Sequence, residues 1–249
     1  MKDVAQLVRS AQRVEVFTGA GMSAESGLDT FRDPQTGIWS RVDPTAMASI
    51  DAWARDPEPM WAWYLWRAEV ARRAEPNAGH RAIARWAQAL KARGGRLTVT
   101  TQNIDDLHER GGMTNVVHLH GSLYSYRCCM CARPWRGPVE RLEEAVPRAT
   151  PPACPLCGNL VRPGVVWFGE PLPHREWDEA ERRMTEADLV VIVGTSGVVY
   201  PAAGLPRLAH ELGTPIVEIS PAPTELTPIA SHFIEGTAAT VLPGLADAC

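Results

Sequence analysis

The chain has 249 residues, 45% hydrophobic, 22% charged and 7% aromatic, which excludes disorder, collagen and coiled coil. Its 25 basic and 29 acidic residues leave a net charge of −4, so the chain as a whole has no pull toward nucleic acid or an anionic membrane. No apolar run approaches the roughly 20 residues of a spanning helix, and Met1-Lys2-Asp3-Val4 opens without an apolar signal core. A cytoplasmic protein is expected.

The spacing of Val4, Leu7, Val8 and Ala11 predicts a helix over residues 3–12. Val14-Glu15-Val16-Phe17 then reads as a strand running straight into Thr18-Gly19-Ala20-Gly21-Met22-Ser23-Ala24. Residues 38–74 are rich in Trp and Arg, with Trp39, Trp53, Trp61, Trp63 and Trp66 and no strand-like run, and predict a helical insertion. A helix over 78–93, strands over 97–100 and 116–119, a helix over 177–186 and strands over 189–193 and 216–219 follow. Between them, residues 122–163 carry Cys, Pro and Arg but few residues able to build a core.

Strands alternating with helices imply a parallel sheet covered on both faces. The fold class is therefore α/β. A Rossmann-like domain over residues 1–37, 75–121 and 164–249 is joined by a smaller domain, built from the helical insertion (38–74) and a cysteine module (122–163).

Cys128-x-x-Cys131, twenty-two residues, then Cys154-x-x-Cys157 has the spacing of a four-thiolate zinc site. Each pair fits a tight turn, and Gly158 relieves the second. Four thiolates leave no open position for water, so one structural zinc per chain is expected. Cys129 could compete for the metal with a tighter, poorer spacing, and Cys249 reads as a free thiol.

Gly19-x-Gly21-x-x-Ala24 after a strand fits a dinucleotide loop, whose glycines allow a tight turn and close backbone approach to a pyrophosphate. A dehydrogenase would next show a helix, a second strand and an acid about 20 residues on. Here the loop runs instead into Glu25-Ser26-Gly27-Leu28-Asp29-Thr30-Phe31-Arg32 and the Trp-rich insertion, and hydride transfer loses its support.

The segments from Gly19 to Gly27, Thr30-Phe31-Arg32, Gln102-Asn103-Ile104-Asp105, His120-Gly121-Ser122, the two Cys pairs, Val165-Val166-Trp167-Phe168-Gly169-Glu170 and Gly194-Thr195-Ser196 together resemble the sirtuins, from about residue 10 to residue 245. The resemblance implies an NAD-dependent protein-lysine deacylase. In that reaction the acyl-lysine carbonyl oxygen attacks C1′ of the nicotinamide ribose and nicotinamide leaves. A base then activates a ribose hydroxyl, and the acyl group ends on ADP-ribose. His120 holds the family's base position, a role that suits imidazole near neutral pH. His118, two residues earlier on the same strand face, reads as a surface or supporting residue.

By the same resemblance Asn103 holds ribose or water, and Asp105 accepts from the carboxamide. Arg32 supplies a cation and Phe31 a shield, while Gly194, Thr195 and Ser196 serve the adenosine side. Gly19, Ala20, Gly21, Ser23, Ala24, Trp39, Gln102, Ile104, Ser220 and Ala238 complete the expected cofactor set. Val165, Val166, Phe168, Gly169 and Glu170 would pair with a substrate peptide as an added strand. Tyr64-x-x-Arg67 puts both side chains on one helix face, a pair that in desuccinylase-type sirtuins grips the distal carboxylate of succinyl- or malonyl-lysine. Ala24, where many sirtuins carry Thr, suits a roomier pocket. Asp29 and Ser220 depart from the family's usual Pro and Asn.

The expected partners are acyl-lysine proteins or peptides, with no direct nucleic acid, no membrane and a monomeric chain. A mono-ADP-ribosyltransferase on the same scaffold, or a non-enzymatic NAD-sensing module, is the competing reading.

Overall fold

The computed structural model describes residues 2–29 and 43–249; Phe31, Arg32 and Trp39 lie outside the described residues. The chain runs α1 (Lys2–Ser10), β1 (Arg13–Thr18), α2 (Pro44–Met47), α3 (Ile50–Arg55), α4 (Pro57–Arg73), α5 (Ala78–Ala92), β2 (Arg96–Thr101), α6 (Leu107–Arg110), β3 (Val116–His118), β4 (Gly121–Cys128) and β5 (Val161–Val165). It continues through α7 (His174–Glu186), β6 (Leu189–Val193), α8 (Leu205–Glu211), β7 (Ile216–Ser220), β8 (His232–Glu235) and α9 (Ala238–Ala246).

Six strands form one parallel sheet in the order β3-β2-β1-β6-β7-β8. Alternation along β1 sends Val14 and Val16 to the face covered by α1 and α5, with Val4, Val8, Ile83, Trp86 and Leu90. Phe17 goes to the opposite face, with Met184 of α7 and Leu205 of α8. The strand order reverses at β1, between β2 and β6. Open α/β sheets of this kind take their ligands beyond the carboxyl ends of the strands at such a reversal.

β1 also buries a carboxylate. Glu15 lies level with Thr98 of β2 and Val190 of β6 and is 1% exposed. Burial pushes its carboxyl up to about 7, against the hydroxyls of Thr100 and Thr98 and the charge of Arg183. The native state therefore holds this proton longer than the unfolded chain, and stability falls as pH rises between the two pKa values. Glu15→Gln is expected to raise stability by about 2 kcal/mol above neutral pH and by little in mild acid. Thermal unfolding at the two pH values checks this; an equal gain at both would reject it.

Residues 122–163 share one apolar core with the helical insertion, in which Trp61, Trp63 and Leu65 of α4 pack with Leu123 of β4, Leu142, and Val161 and Val165 of β5. Ion pairs join the same two segments, Arg141 to Glu69 at 2.8 Å and Arg148 to Asp56 at 2.7 Å. β4 and β5 pair antiparallel, an arrangement hidden in the sequence because Cys, Arg and Pro interrupt their alternation.

Candidate active site

At the sheet's reversal the loops after β1 and β6 touch backbone to backbone. Gly19 donates its N–H to the Val193 carbonyl at 3.0 Å, and Gly21 donates to Gly194 at 2.8 Å. A Cβ on Gly19 would lie 2.7 Å from the Thr195 Cβ, and one on Gly194, at φ +60, would lie 2.5 Å from Gly21. Loop contact is thus what demands these glycines. The amides of Gly19, Gly21 and Gly194 are themselves hydrogen-bonded within these loops and to the end of β7. The turns that follow, Ala20–Met22 and Ala24–Ser26, are short 3₁₀ segments. Asn77, the N-cap of α5, holds them by donating to the Met22 carbonyl at 2.9 Å and to Ser26 Oγ at 3.1 Å. Ala239, next to Ala238 at the start of α9, donates its N–H to Glu25 at 2.9 Å.

Beyond β2, the 102–105 loop joins this floor. Asn103 donates its side-chain N–H to Ser23 Oγ at 3.2 Å, and Ser23 donates to Asp105 at 3.0 Å. The Asn103 amide donates to Thr101 Oγ1 at 3.0 Å, and Thr18 donates to the same oxygen at 2.8 Å. Asn103 is 8% and Asp105 7% exposed. Burial holds the Asp105 carboxyl above its ordinary range, against the Leu107 N–H and the Ser23 hydroxyl. Gln102 donates to Thr195 at 2.8 Å, tying this loop to the one after β6. The Ser196 carbonyl accepts from Glu225 N–H at 3.3 Å, and Ser220 ends β7 with its carbonyl on Gly236 N–H at 3.1 Å.

His120 lies just past β3, with Nδ1 2.9 Å from the Gln102 carbonyl. A carbonyl oxygen only accepts, so Nδ1 carries the hydrogen and Nε2 keeps its lone pair. Burial lowers its pKa, against the Gln102 carbonyl, and so favours the neutral ring. The His120 carbonyl receives the Val166 N–H at 2.9 Å, which brings the end of β5 to the site.

On the other wall, Tyr64 and Arg67 share a face of α4. Burial drives the Tyr64 hydroxyl up to about 12, against the nearby Arg67 charge. The Arg67 guanidinium carbon stands 4.8 Å from the Trp63 ring and 5.9 Å from the Tyr64 ring. Burial lowers its pKa, while Tyr64, Asp105 and Asp29 favour its charge. Trp167 closes this wall, 5.4 Å from Trp53 and 6.5 Å from Tyr64 between ring centroids.

Glu170 accepts from the Trp167 N–H at 2.8 Å and from Arg162 at 2.8 Å, so its carboxylate buttresses the Trp167–Gly169 turn. Phe168 is exposed and paired to Ser49 as an isolated bridge. The sequence assigns no role to Trp167, Arg162, Asn77 or Thr101. The proline-asparagine before α5 is a readable cap signal for Asn77; Trp167 meets Trp53 and Tyr64 and Thr101 meets Thr18 from far along the chain, while Arg162 is held by Val165 and Glu170 close by.

Outside this crevice, the sulfurs of Cys128, Cys131, Cys154 and Cys157 lie within 4.8 Å of one another. Cys128 and Cys157 are 3.4 Å apart, and Cys131 and Cys154 are 3.8 Å. A tetrahedron with Zn–S bonds of 2.3 Å has edges of about 3.8 Å, so these four thiols fit a closed zinc site. Each knuckle ends on a left-handed residue, Ala132 at φ +54 and Gly158 at φ +73. Cys129 is outside the cluster, and Cys249 is a free thiol packed on the sheet core.

Strand order, the crevice at the reversal and a separate zinc knuckle define an α/β dinucleotide-binding fold with a metal-stapled smaller domain. The Sir2 family profile matches residues 19–201, and the chain belongs to the Sir2 family. It is 63% identical over 239 residues to NAD-dependent protein deacylase 2 of Corynebacterium efficiens, covering 96% of this chain and 93% of that one. It is 49% identical to the NAD-dependent protein deacylase Sir2 of Mycolicibacterium smegmatis, covering 94% of this chain and 95% of that one. Among solved structures, a Sir2 homolog–NAD complex aligns with TM-score 0.88 at 42% identity, over 99% of this chain and 93% of the other. A Sir2 complex with a deacetylated peptide and 3′-O-acetyl ADP-ribose aligns with TM-score 0.83 at 28% identity, over 99% and 97%.

Proposed function

We propose that this chain, an NAD-dependent protein deacylase of the Sir2 family, removes succinyl and malonyl as well as acetyl groups from lysine side chains, releasing nicotinamide and O-acyl-ADP-ribose. The observation that carries the acyl reading is the Tyr64–Arg67 pair, with Tyr64 buried and Arg67 partly buried near the loop that bears Asp105. A planar guanidinium and a phenol on one helix face combine N–H and O–H donors, the chemistry that recognises a carboxylate.

NAD, when bound, supplies the ribosyl carbon that accepts the acyl oxygen and gives up nicotinamide. The donor set fits it: a buried amide, hydroxyl and carboxylate (Asn103, Ser23, Asp105) suit ribose hydroxyls and a carboxamide. Gly19, Ala20, Gly21, Ala24, Gln102, Ile104, Gly194, Thr195, Ser196, Ser220 and Ala238 are proposed as the remainder of its binding surface. His120 takes a proton at Nε2 while the Gln102 carbonyl holds Nδ1–H in place. Val165 to Gly169 would receive the peptide backbone. Cys128, Cys131, Cys154 and Cys157 hold zinc, whose part is structural.

Acyl-lysine proteins are the proposed partners, met by a monomer in the cytoplasm without direct nucleic-acid contact. The net charge of −4 and a thiolate cluster suited to a reducing compartment support this. No described helix is long and apolar enough to cross a membrane.

Arg67→Ala tests the acyl reading. Matched acetyl- and succinyl-lysine peptides, with and without NAD, are followed by mass spectrometry. Losing a charge-assisted carboxylate contact costs up to about 3 kcal/mol, so desuccinylation is expected to fall roughly 100-fold and deacetylation only a few-fold. Acetyl turnover alone, indifferent to Arg67, would keep the deacylase and discard the succinyl assignment. No turnover of either peptide would move the reading to ADP-ribosyl transfer.

A further inference from the structure

His118 is bound at both ring nitrogens, and both partners are acceptors. Nδ1 lies 2.9 Å from the Asn103 carbonyl and Nε2 lies 2.8 Å from a Glu109 carboxylate oxygen. A carbonyl cannot donate and an ionised carboxylate cannot donate, so each nitrogen carries a hydrogen and the ring is an imidazolium. We propose that His118 is a positioning residue for deacylation: clamped between Glu109 of α6 and the backbone of Asn103, it fixes the loop that carries Asn103 and Asp105. This inference rests on the reading of those two residues as part of the site.

Among the described residues the loop has three anchors at Asn103, and one of them can titrate near neutral pH. The amide rests on Thr101, the side chain rests on Ser23, and the carbonyl rests on His118. Loss of the Nε2 proton would turn a donor facing Glu109 into a lone pair facing a carboxylate, and the Glu109 end of the clamp would open, leaving the ring held by Nδ1–H alone. The charged groups around the ring favour the proton. Glu109 faces it from α6 and Asp105 from the loop itself, while His108 on α6 is kept neutral by burial, its pKa down to about 3. From the α7 side, Arg183 is spent on the Val99 carbonyl of β2 and on Asn115 before β3, and is paired with Glu179. The His118 side chain is only 19% exposed, yet burial is outweighed by Glu109 and the Asn103 carbonyl, and its pKa is raised.

Two histidines two residues apart are therefore held in opposite charge states, His120 neutral and His118 charged. Deacylation should lose activity in acid as His120 protonates, and in alkali as His118 deprotonates. Glu109→Gln separates the two limbs. The side chain of Glu109 is 40% exposed and glutamine keeps its size, so folding is not at stake. The alkaline limb of kcat/KM is expected to move down by about half a pH unit or more, with the acid limb unmoved. Nitrogen-15 NMR of the imidazoles in NAD-free protein should show a doubly protonated His118 at neutral pH, titrating lower in E109Q.

A neutral His118 ring in mild acid, or an alkaline limb identical in wild type and E109Q, would overturn the proposal. Asn103→Ala distinguishes that failure from failure of the site reading. Full turnover in N103A removes Asn103 from the site, and the proposal with it. An inactive N103A beside an unshifted E109Q profile removes the His118 clamp alone.

Discussion

His120→Asn is expected to lower kcat for deacylation by about 10²- to 10⁴-fold, the usual contribution of a positioned general base. Asparagine can still donate to the Gln102 carbonyl, the bond that His120 makes through Nδ1 at 2.9 Å, so the loop is kept. What disappears is the Nε2 lone pair. The thermal midpoint and NAD affinity should therefore stay near wild type while turnover collapses. A loss below tenfold would show that another group takes the proton. The pH behaviour has a definite sign: burial lowers the His120 pKa, so the neutral ring persists into mild acid and activity falls only below the ordinary histidine range.

Zinc removal is the second large effect. Four sulfurs within 4.8 Å of one another cannot stay ionised together without a cation between them. In free zinc-finger peptides metal binding is worth about 10–16 kcal/mol and is the folding energy itself. Here the consequence is smaller, because Leu123, Leu142, Val161 and Val165 also pack on α4. A destabilisation of several kcal/mol lowers the thermal midpoint by about 10 °C in a protein of this size. A chelator, or Cys128→Ser, should produce that shift and abolish deacylation. The route to the site is β5, which leads to the Val166 N–H on the His120 carbonyl. Far-UV circular dichroism should retain most of its signal, since the six-stranded sheet has its own cores. Restored zinc should restore activity after chelation; an unchanged midpoint without metal would remove zinc from the structure's support.

Much of this was legible along the chain. Leu189 to Val193 is a continuous apolar run, and β6 occupies those residues with every one buried. The helix expected over 78–93 is α5, Ala78–Ala92, and its N-cap Asn77 is in place. The last strand, β8, was not anticipated, because His232–Glu235 is short and only half-buried at the sheet edge. β3 stops at His118, so His120 sits in the turn where its ring can reach the Gln102 carbonyl.

The sequence by itself determined what depends on spacing within a few residues: strand and helix periods, the two Cys-x-x-Cys turns, the i, i+3 pair on α4 and the motifs that mark a sirtuin. Covalent geometry fixes such relations before any tertiary contact forms. Tertiary structure alone decided which identical side chains carry charge. His118 and His120 differ by their partners, Glu109 and Asn103 for one and Gln102 for the other. It also decided that Gly19, Gly21 and Gly194 serve loop contact, and that Glu15 is desolvated in the sheet. A charge state and a close approach are set by groups brought together from distant points of the chain, and local sequence carries no record of that distance.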